Sequence, residues 1–244
     1  MSRDRDFTSV GRALAAPARS AFLNLLMDGT SRPAGELARA AGVSASTASE
    51  HLAALVDTGL VTCEARGRRR YYALAGPRVA TALEALGALA DPVPVSGYRR
   101  SREARTLAAA RLCYDHLAGR LGVALTDAWT HRGWLTDRES LTLADAGATG
   151  LRALGVDVDG ALRARRPTTR ACPDWTERRT HLAGALGAAV GTRFLAAGWV
   201  VRHPSGRGLN TTDSGRELLR ETWGIELGDL VDPVGPAGGA GPGG

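Results

Sequence analysis

Four arginines fall within one five-residue stretch, Arg66, Arg68, Arg69 and Arg70, around Gly67. Guanidinium groups packed this densely repel one another unless an anion neutralises them. The flanks shape the stretch. Gly59-Leu-Val-Thr-Cys-Glu64 reads as extended, Ala65–Arg70 as a basic turn, and Tyr71–Leu74 as a return strand, so the arginines crown a β-hairpin. A second group is thiol and imidazole: Cys113 three residues before His116, and Cys172 nine before His181. Such residues could form a transition-metal or redox site. The spacing is not diagnostic. Inert buried thiols and hydrogen-bonding histidines explain it as well, and no cofactor or metal ion is assigned from it. Cys63, in the hairpin strand, is expected in the core.

Three helices precede the hairpin. Phe22, Leu25 and Leu26 stripe a helix that Gly29 stops, and Ala34–Ala41 forms another with Leu37 and Ala41 inward. Gly42-Val43-Ser44 is a tight turn ending in an N-cap, and a third helix runs from about Ala45 to Thr58. At about 100° per residue, Ala48, Leu52 and Leu55 share its core face. Ser46, Ser49, Glu50 and Ala53 lie opposite, flanked by Thr47 and His51. A small, polar first turn suits entry into a DNA major groove about 12 Å wide. A solvated face is the plain alternative, and the basic hairpin tips the reading toward a winged helix-turn-helix.

These segments resemble the ArsR-type winged helix-turn-helix repressors. Ala13-Leu-Ala-Ala-Pro-Ala-Arg19, Glu36-Leu-Ala, Val43 through Leu52, Leu55, Gly59-Leu-Val61 and Arg66 through Leu74 carry the likeness, over about residues 10–90. It implies a homodimer on a two-fold operator in double-stranded DNA, with repression relieved by a signal; the cytoplasm is expected from composition, since the start Met1-Ser-Arg-Asp-Arg-Asp6 has no apolar signal core. Ser44, Ser46, Thr47, Ser49, Glu50 and His51 would meet DNA from the recognition helix. Arg66, Arg68, Arg69, Arg70 and Tyr71 would serve the wing. The helix Pro77–Ala90, with Val79, Leu83 and Leu86 on one stripe, either forms the dimer or packs on its own domain. The two best-known metal sites of the family are absent. Ala38 and Ala40 stand where a thiol pair would, and 77–90 holds no histidine.

The remaining chain is expected to be the signal-receiving part. Residues 91–103 read as a linker, 104–232 as a second domain, and 233–244 as a flexible Gly/Pro tail. The second domain contains a duplication, about 113–158 and 172–228. His116-Leu-Ala-Gly-Arg-Leu-Gly122 recurs as His181-Leu-Ala-Gly-Ala-Leu-Gly187. Gly133-Trp134 and Gly198-Trp199 follow at the same distance, then Asp145-Ala-Gly147 and Asp213-Ser-Gly215. Each unit reads as a helix, a short extended pair and a closing helix. The expected fold is mainly α with small β-hairpins: a winged helix-turn-helix at residues 8–90 plus a pseudo-repeated α+β domain.

Asp174-Trp-Thr-Glu177 fits a helix start. Trp175, outside the repeat equivalence, is a candidate to line an effector pocket with Cys113, His116, Cys172 and His181, for a small-molecule or redox effector. Composition excludes other classes. The net charge is +6 with every basic residue arginine, 44% is hydrophobic, and no run approaches a membrane span. Catalysis finds no support: no Gly-x-Gly-x-x-Gly in 104–232, no lysine for a phosphate loop, no His-Glu-x-x-His and no Gly-x-Ser-x-Gly. A non-specific architectural DNA binder ranks second, and an enzyme using the winged helix to dimerise third.

Overall fold

The computed structural model describes residues 4–90, 98–203 and 206–227. It is mainly helical with small antiparallel hairpins. Among the described residues no helix is long and apolar enough to cross a membrane. The chain opens with α1 (Thr8–Leu14) and α2 (Pro17–Leu26), where Pro17 stands at a position that has no N–H to satisfy. A two-residue strand β1 (Arg32–Pro33) leads into α3 (Ala34–Ala41), and Ser44 caps α4 (Ala45–Asp57) by accepting from Thr47 N. Phe22, Leu26, Leu37, Ala48, Leu52 and Leu55 are fully buried and lock the three helices into one core. The expected inward face of α4 is therefore the observed one.

The wing consists of β2 (Val61–Arg66) and β3 (Arg69–Leu74), and β1 adds to β3, giving the order β1-β3-β2. Arg66 pairs with Arg69, so the turn is two residues, not the six expected over Ala65–Arg70. Gly67 takes φ +61°, the conformation that lets so short a turn follow the strand twist. Cys63 is exposed, not in the core: β2 is an edge strand and only its first residue, Val61, is buried. After the wing, α5 (Pro77–Leu89) runs back over the domain.

Residues 91–97 of the expected linker, and the tail 233–244, lie outside the described residues. Residues 98–103 are not linker but the start of α6 (Tyr98–Ala109). The duplicated half then appears as two copies of hairpin, helix, hairpin, helix. The first holds β4 (Arg111–Cys113), β5 (His116–Ala118), α7 (Gly119–His131), β6 (Leu135–Thr136), β7 (Thr142–Leu143) and α8 (Asp145–Ala153), followed by α9 (Val158–Arg163). The second holds β8 (Arg170–Pro173), β9 (Thr180–Ala183), α10 (Gly184–Ala196), β10 (Val200–Arg202), β11 (Leu209–Thr211) and α11 (Asp213–Trp223). Each leading hairpin is new relative to the sequence reading, because three- and four-residue strands show no alternation. Asp174–Glu177 is accordingly the loop of the β8–β9 hairpin and not a helix start.

The copies interlock. Helix α10 packs on β5 of the first copy and α7 on β9 of the second. Trp223, closing the second copy, meets Trp129 and Trp134 of the first edge-on, with ring centres 5.9 and 6.3 Å apart. Gly122 and Gly187, the last residues of the repeated motif, allow this crossing. A side chain at Gly122 would press on the Leu117 carbonyl and approach His181, and one at Gly187 would press on the Leu182 carbonyl and approach His116. We expect Gly122→Ala and Gly187→Ala each to destabilise the chain by about 1–3 kcal/mol through overpacking. Denaturant unfolding checks this, and a loss below about 0.5 kcal/mol would contradict the close approach.

Candidate nucleic-acid interface and a buried Cys–His cluster

The outer face of α4 is open. Ser44, Ser46, Ser49 and Glu50 are exposed and Thr47 is half-buried. Ser44 Oγ lies 2.9 Å from both Ser46 Oγ and Thr47 Oγ1, and Ser49 Oγ donates to the Ala45 carbonyl at 2.9 Å. These hydroxyls are satisfied locally yet remain free to turn outward. His51 is tied more closely. Its Nδ1 lies 3.0 Å from an Arg19 guanidinium nitrogen, and its ring meets Phe22 edge-on. Arg19, which also donates to the carbonyls of Arg12 and Ala13, sets a positive charge beside this helix. Sequence reasoning gave Arg19 no role, although it stood in the segment that carried the family likeness.

The four wing arginines divide. Arg66 is paired with Glu64 at 2.7 Å and lies over the Tyr71 ring, 5.0 Å from its centre. Arg70 sits beside the Tyr72 phenol. Arg68 and Arg69 are exposed and meet no carboxylate among the described residues.

The cysteines and histidines singled out in sequence converge. Cys113 pairs across its hairpin with His116, and Cys172 with His181. A two-residue turn separates the first pair, whereas one more cross-strand pair, Pro173–Thr180, and a six-residue loop separate the second, so the sequence spacings differ although both are cross-strand partners. Packing of the two copies brings the hairpins together. One ligand atom from each residue lies within 4.8 Å of the others, and all four residues are buried. The Sγ atoms are 3.9 Å apart and the imidazole centres 5.1 Å. The sequence left inert thiols and a metal or redox site both open and assigned no ion; the structure brings all four residues together, close enough to hold one. Trp175 does not line this cluster. It covers the Arg111 guanidinium, 4.9 Å from its ring centre, and packs against Gly87 of α5. Nor does the gap between the repeats, lined by Leu117, Leu125, Trp129, Leu182 and Val190, hold more than about one water.

A carboxylate backs each imidazole. Asp115 Oδ1 lies 3.1 Å from His116 Nδ1, and Asp174 Oδ2 lies 3.2 Å from His181 Nδ1. Nε2 of both rings is buried without a hydrogen-bond partner among the described residues, and so is His181 Nδ1, whose 3.2 Å approach to Asp174 is an ion-pair distance without hydrogen-bond alignment. The Cys113 thiol is pushed up to about 12 by its hydrogen bond with Cys172 and by burial. Burial opposes charge on His116 and His181, but the carboxylates and the Cys113 thiol outweigh it and move both upward. Burial also opposes charge on Asp174, yet His181 and the Arg111 guanidinium hold it well below the usual carboxylate range.

From Asp174 the polar contacts continue into the winged helix. Asp174 Oδ2 is 3.0 Å from Arg111, whose side chain is fully buried. Arg111 reaches Glu84 of α5 at 3.4 Å, and Arg207 reaches the same carboxylate at 2.7 Å. Nearby, Tyr114 N donates to the Met27 carbonyl at 2.5 Å. Cys113, Ala118, Cys172 and Ala183 join the same apolar cluster as Phe22, Leu26 and Leu52. The Cys–His cluster thus sits at the junction of the two halves.

Comparison with known proteins finds relatives for the first half of the chain and one for its whole length. A family model described as a helix-turn-helix domain matches residues 14–64. An uncharacterised HTH-type transcriptional regulator of Bacillus subtilis, YdfF, is 38% identical over 223 residues, covering 91% of this chain and 99% of its own length. The HTH-type transcriptional regulator CmtR of Mycobacterium tuberculosis is 42% identical over 81 residues, 33% of this chain and 68% of CmtR. A solved fragment of a possible transcriptional regulatory protein from Mycobacterium bovis is 38% identical with a TM-score of 0.33, covering 35% of this chain and 90% of the fragment. The Bacillus match runs through both halves of the chain.

Removing Glu84 would leave two buried guanidinium groups short of a carboxylate. We expect Glu84→Ala to cost about 3–5 kcal/mol, seen as a lowered melting temperature, and to speed hydrogen exchange along α5. An unchanged melting temperature would show that the pairs are not buried in solution.

Proposed function

The chain belongs to the HTH-type transcriptional regulators, and on that premise, with its ArsR-like helices and wing, we propose that it is a cytoplasmic, operator-specific repressor. It works as a homodimer and receives its signal through the duplicated half. The observation that carries the reading is the pairing of an uncovered polar face at the start of α4 with unneutralised wing arginines. Ser44, Ser46, Thr47, Ser49 and Glu50 would read base edges, with His51 set at their flank by Arg19. Arg68, Arg69 and Arg70 would lie along phosphates, with Arg66 and Tyr71 stiffening the wing from below.

Two half-sites one DNA turn apart, about 34–36 Å, need two copies of the chain. The surface offered for pairing is apolar. Leu86 and Leu89 are 45% and 84% exposed, three residues apart on α5, and Phe7 is 74% exposed. Val79 and Leu83, on the stripe expected for dimerisation, are instead half-buried against the chain's own core. Dimerisation is thus proposed for the C-terminal end of α5.

Replacing Arg68, Arg69 and Arg70 by alanine is expected to flatten the dependence of log K on log[salt] by about 0.9 for each phosphate no longer neutralised. An unchanged slope would remove the wing from the interface. Ser49→Ala should weaken operator binding by about 1–3 kcal/mol while leaving binding to unrelated DNA nearly intact. Equal losses on all sequences would favour the architectural reading. Leu86→Glu with Leu89→Glu should yield monomers in sedimentation, and a persistent dimer would place the pairing surface elsewhere.

A further inference from the structure

We propose that Cys113, His116, Cys172 and His181 bind one divalent transition-metal ion of the zinc class, tetrahedrally, across the junction of the two repeats. The site is built before any ion arrives. Its four donors come from equivalent positions of two hairpins and are buried together. With zinc–sulfur bonds of about 2.3 Å, two thiolates on a tetrahedral ion stand about 3.8 Å apart. The two sulfurs here stand 3.9 Å apart.

The histidines carry an independent sign. Asp115 is hydrogen-bonded to His116 Nδ1, as outer carboxylates are when they fix a metal-bound imidazole, and Asp174 lies 3.2 Å from His181 Nδ1, near enough to take up that role with a small turn of the ring. That arrangement leaves Nε2 of each ring buried and unpartnered, a costly state that an ion would relieve. Two thiolates and a divalent cation sum to zero charge, which suits a site with no exposed donor. On binding, each thiol and any protonated imidazole gives its proton to solvent, and no redox change occurs. Thiolate and imidazole donors together favour zinc-class ions over magnesium or calcium.

A disulfide is the competing chemistry. It would need the sulfurs to close from 3.9 Å to about 2.05 Å, and it would leave both Nε2 atoms orphaned. The proposal does not depend on the operator reading, because binding is measured on the free chain without DNA.

The full-length chain, stripped with chelator and kept reduced, would be titrated with Co(II). We expect one Co(II) per chain, with the intense d–d bands of tetrahedral coordination, sulfur-to-cobalt charge-transfer absorption, and displacement by one equivalent of Zn(II). X-ray absorption of the zinc-loaded wild-type chain should give two sulfurs at about 2.3 Å and two nitrogens at about 2.0–2.1 Å. Cys63→Ser should leave the stoichiometry unchanged, whereas Cys113→Ser and Cys172→Ser should each remove about half or more of the charge-transfer intensity. The wild-type absorption measurement decides the matter even if the last two variants fail to fold. An octahedral spectrum, a charge-transfer band abolished by Cys63→Ser, or a Cys113–Cys172 disulfide forming in air in a chain that takes up no metal when reduced would each overturn the proposal.

Discussion

The buried polar contact between the two halves turns on one fully buried guanidinium. Arg111 has no exposed surface, and an isolated buried charge costs several kcal/mol after relaxation. It is tolerated because Asp174 and Glu84 both lie against one of its terminal nitrogens, Trp175 covers its plane, and Arg207 neutralises the remaining charge on Glu84. Two acids and two bases cancel. These four residues come from α5, β4, the β8–β9 loop and the segment before β11, so satisfying one arginine fixes the relative positions of four parts of the chain. Pairs of this kind contribute less to net stability than apolar packing would, and more to fixing one arrangement.

The consequence falls on α5. Its inner side gives Glu84 to the duplicated half and Gly87 to Trp175, while Val79 and Leu83 pack on the winged-helix core. Its outer side leaves Leu86 and Leu89 in water. One helix therefore touches the winged helix, the duplicated half and the surface proposed for a second copy. Any change at the junction acts directly on the element that would set the spacing between two reading helices.

Much of this was legible in sequence where the periodicity was long. Ala48, Leu52 and Leu55 declared the core face of α4 because thirteen residues give several turns of pattern. Helix α5, also of thirteen residues, was legible for the same reason, and the eight-residue α3 from Pro33 at its start and Gly42 at its end. The leading hairpins were not, since strands of three and four residues cannot show alternation. The Cys–His convergence was hidden by loop length: a two-residue turn in one copy and a six-residue loop in the other gave unequal spacings for the same cross-strand pair. Arg111 gave no signal, because an arginine in an arginine-rich chain reads as surface. Cys63 read as core because its neighbours looked like a buried strand, but β2 is an edge with nothing packed on it beyond Val61.

The duplication gives the cluster its logic. One hairpin supplies one thiol and one imidazole, half of a tetrahedral set, so neither copy can hold an ion alone. Binding across both copies would tie occupancy to their packing, and any ligand held only by the packed form stabilises that form by mass action. The two halves of the set are not equivalent in what stands behind them. Asp115, behind His116, pairs with Arg166 at 2.6 Å, well away from α5. Asp174, behind His181, is the carboxylate that holds Arg111 against Glu84. The longer loop of the second hairpin makes this difference, because it carries Asp174 and Trp175 to the junction. An ion anchoring His181 would thus reach α5 through Asp174, Arg111 and Glu84 in turn. The symmetric pair of hairpins builds the site, and the asymmetric loop connects it to the winged helix.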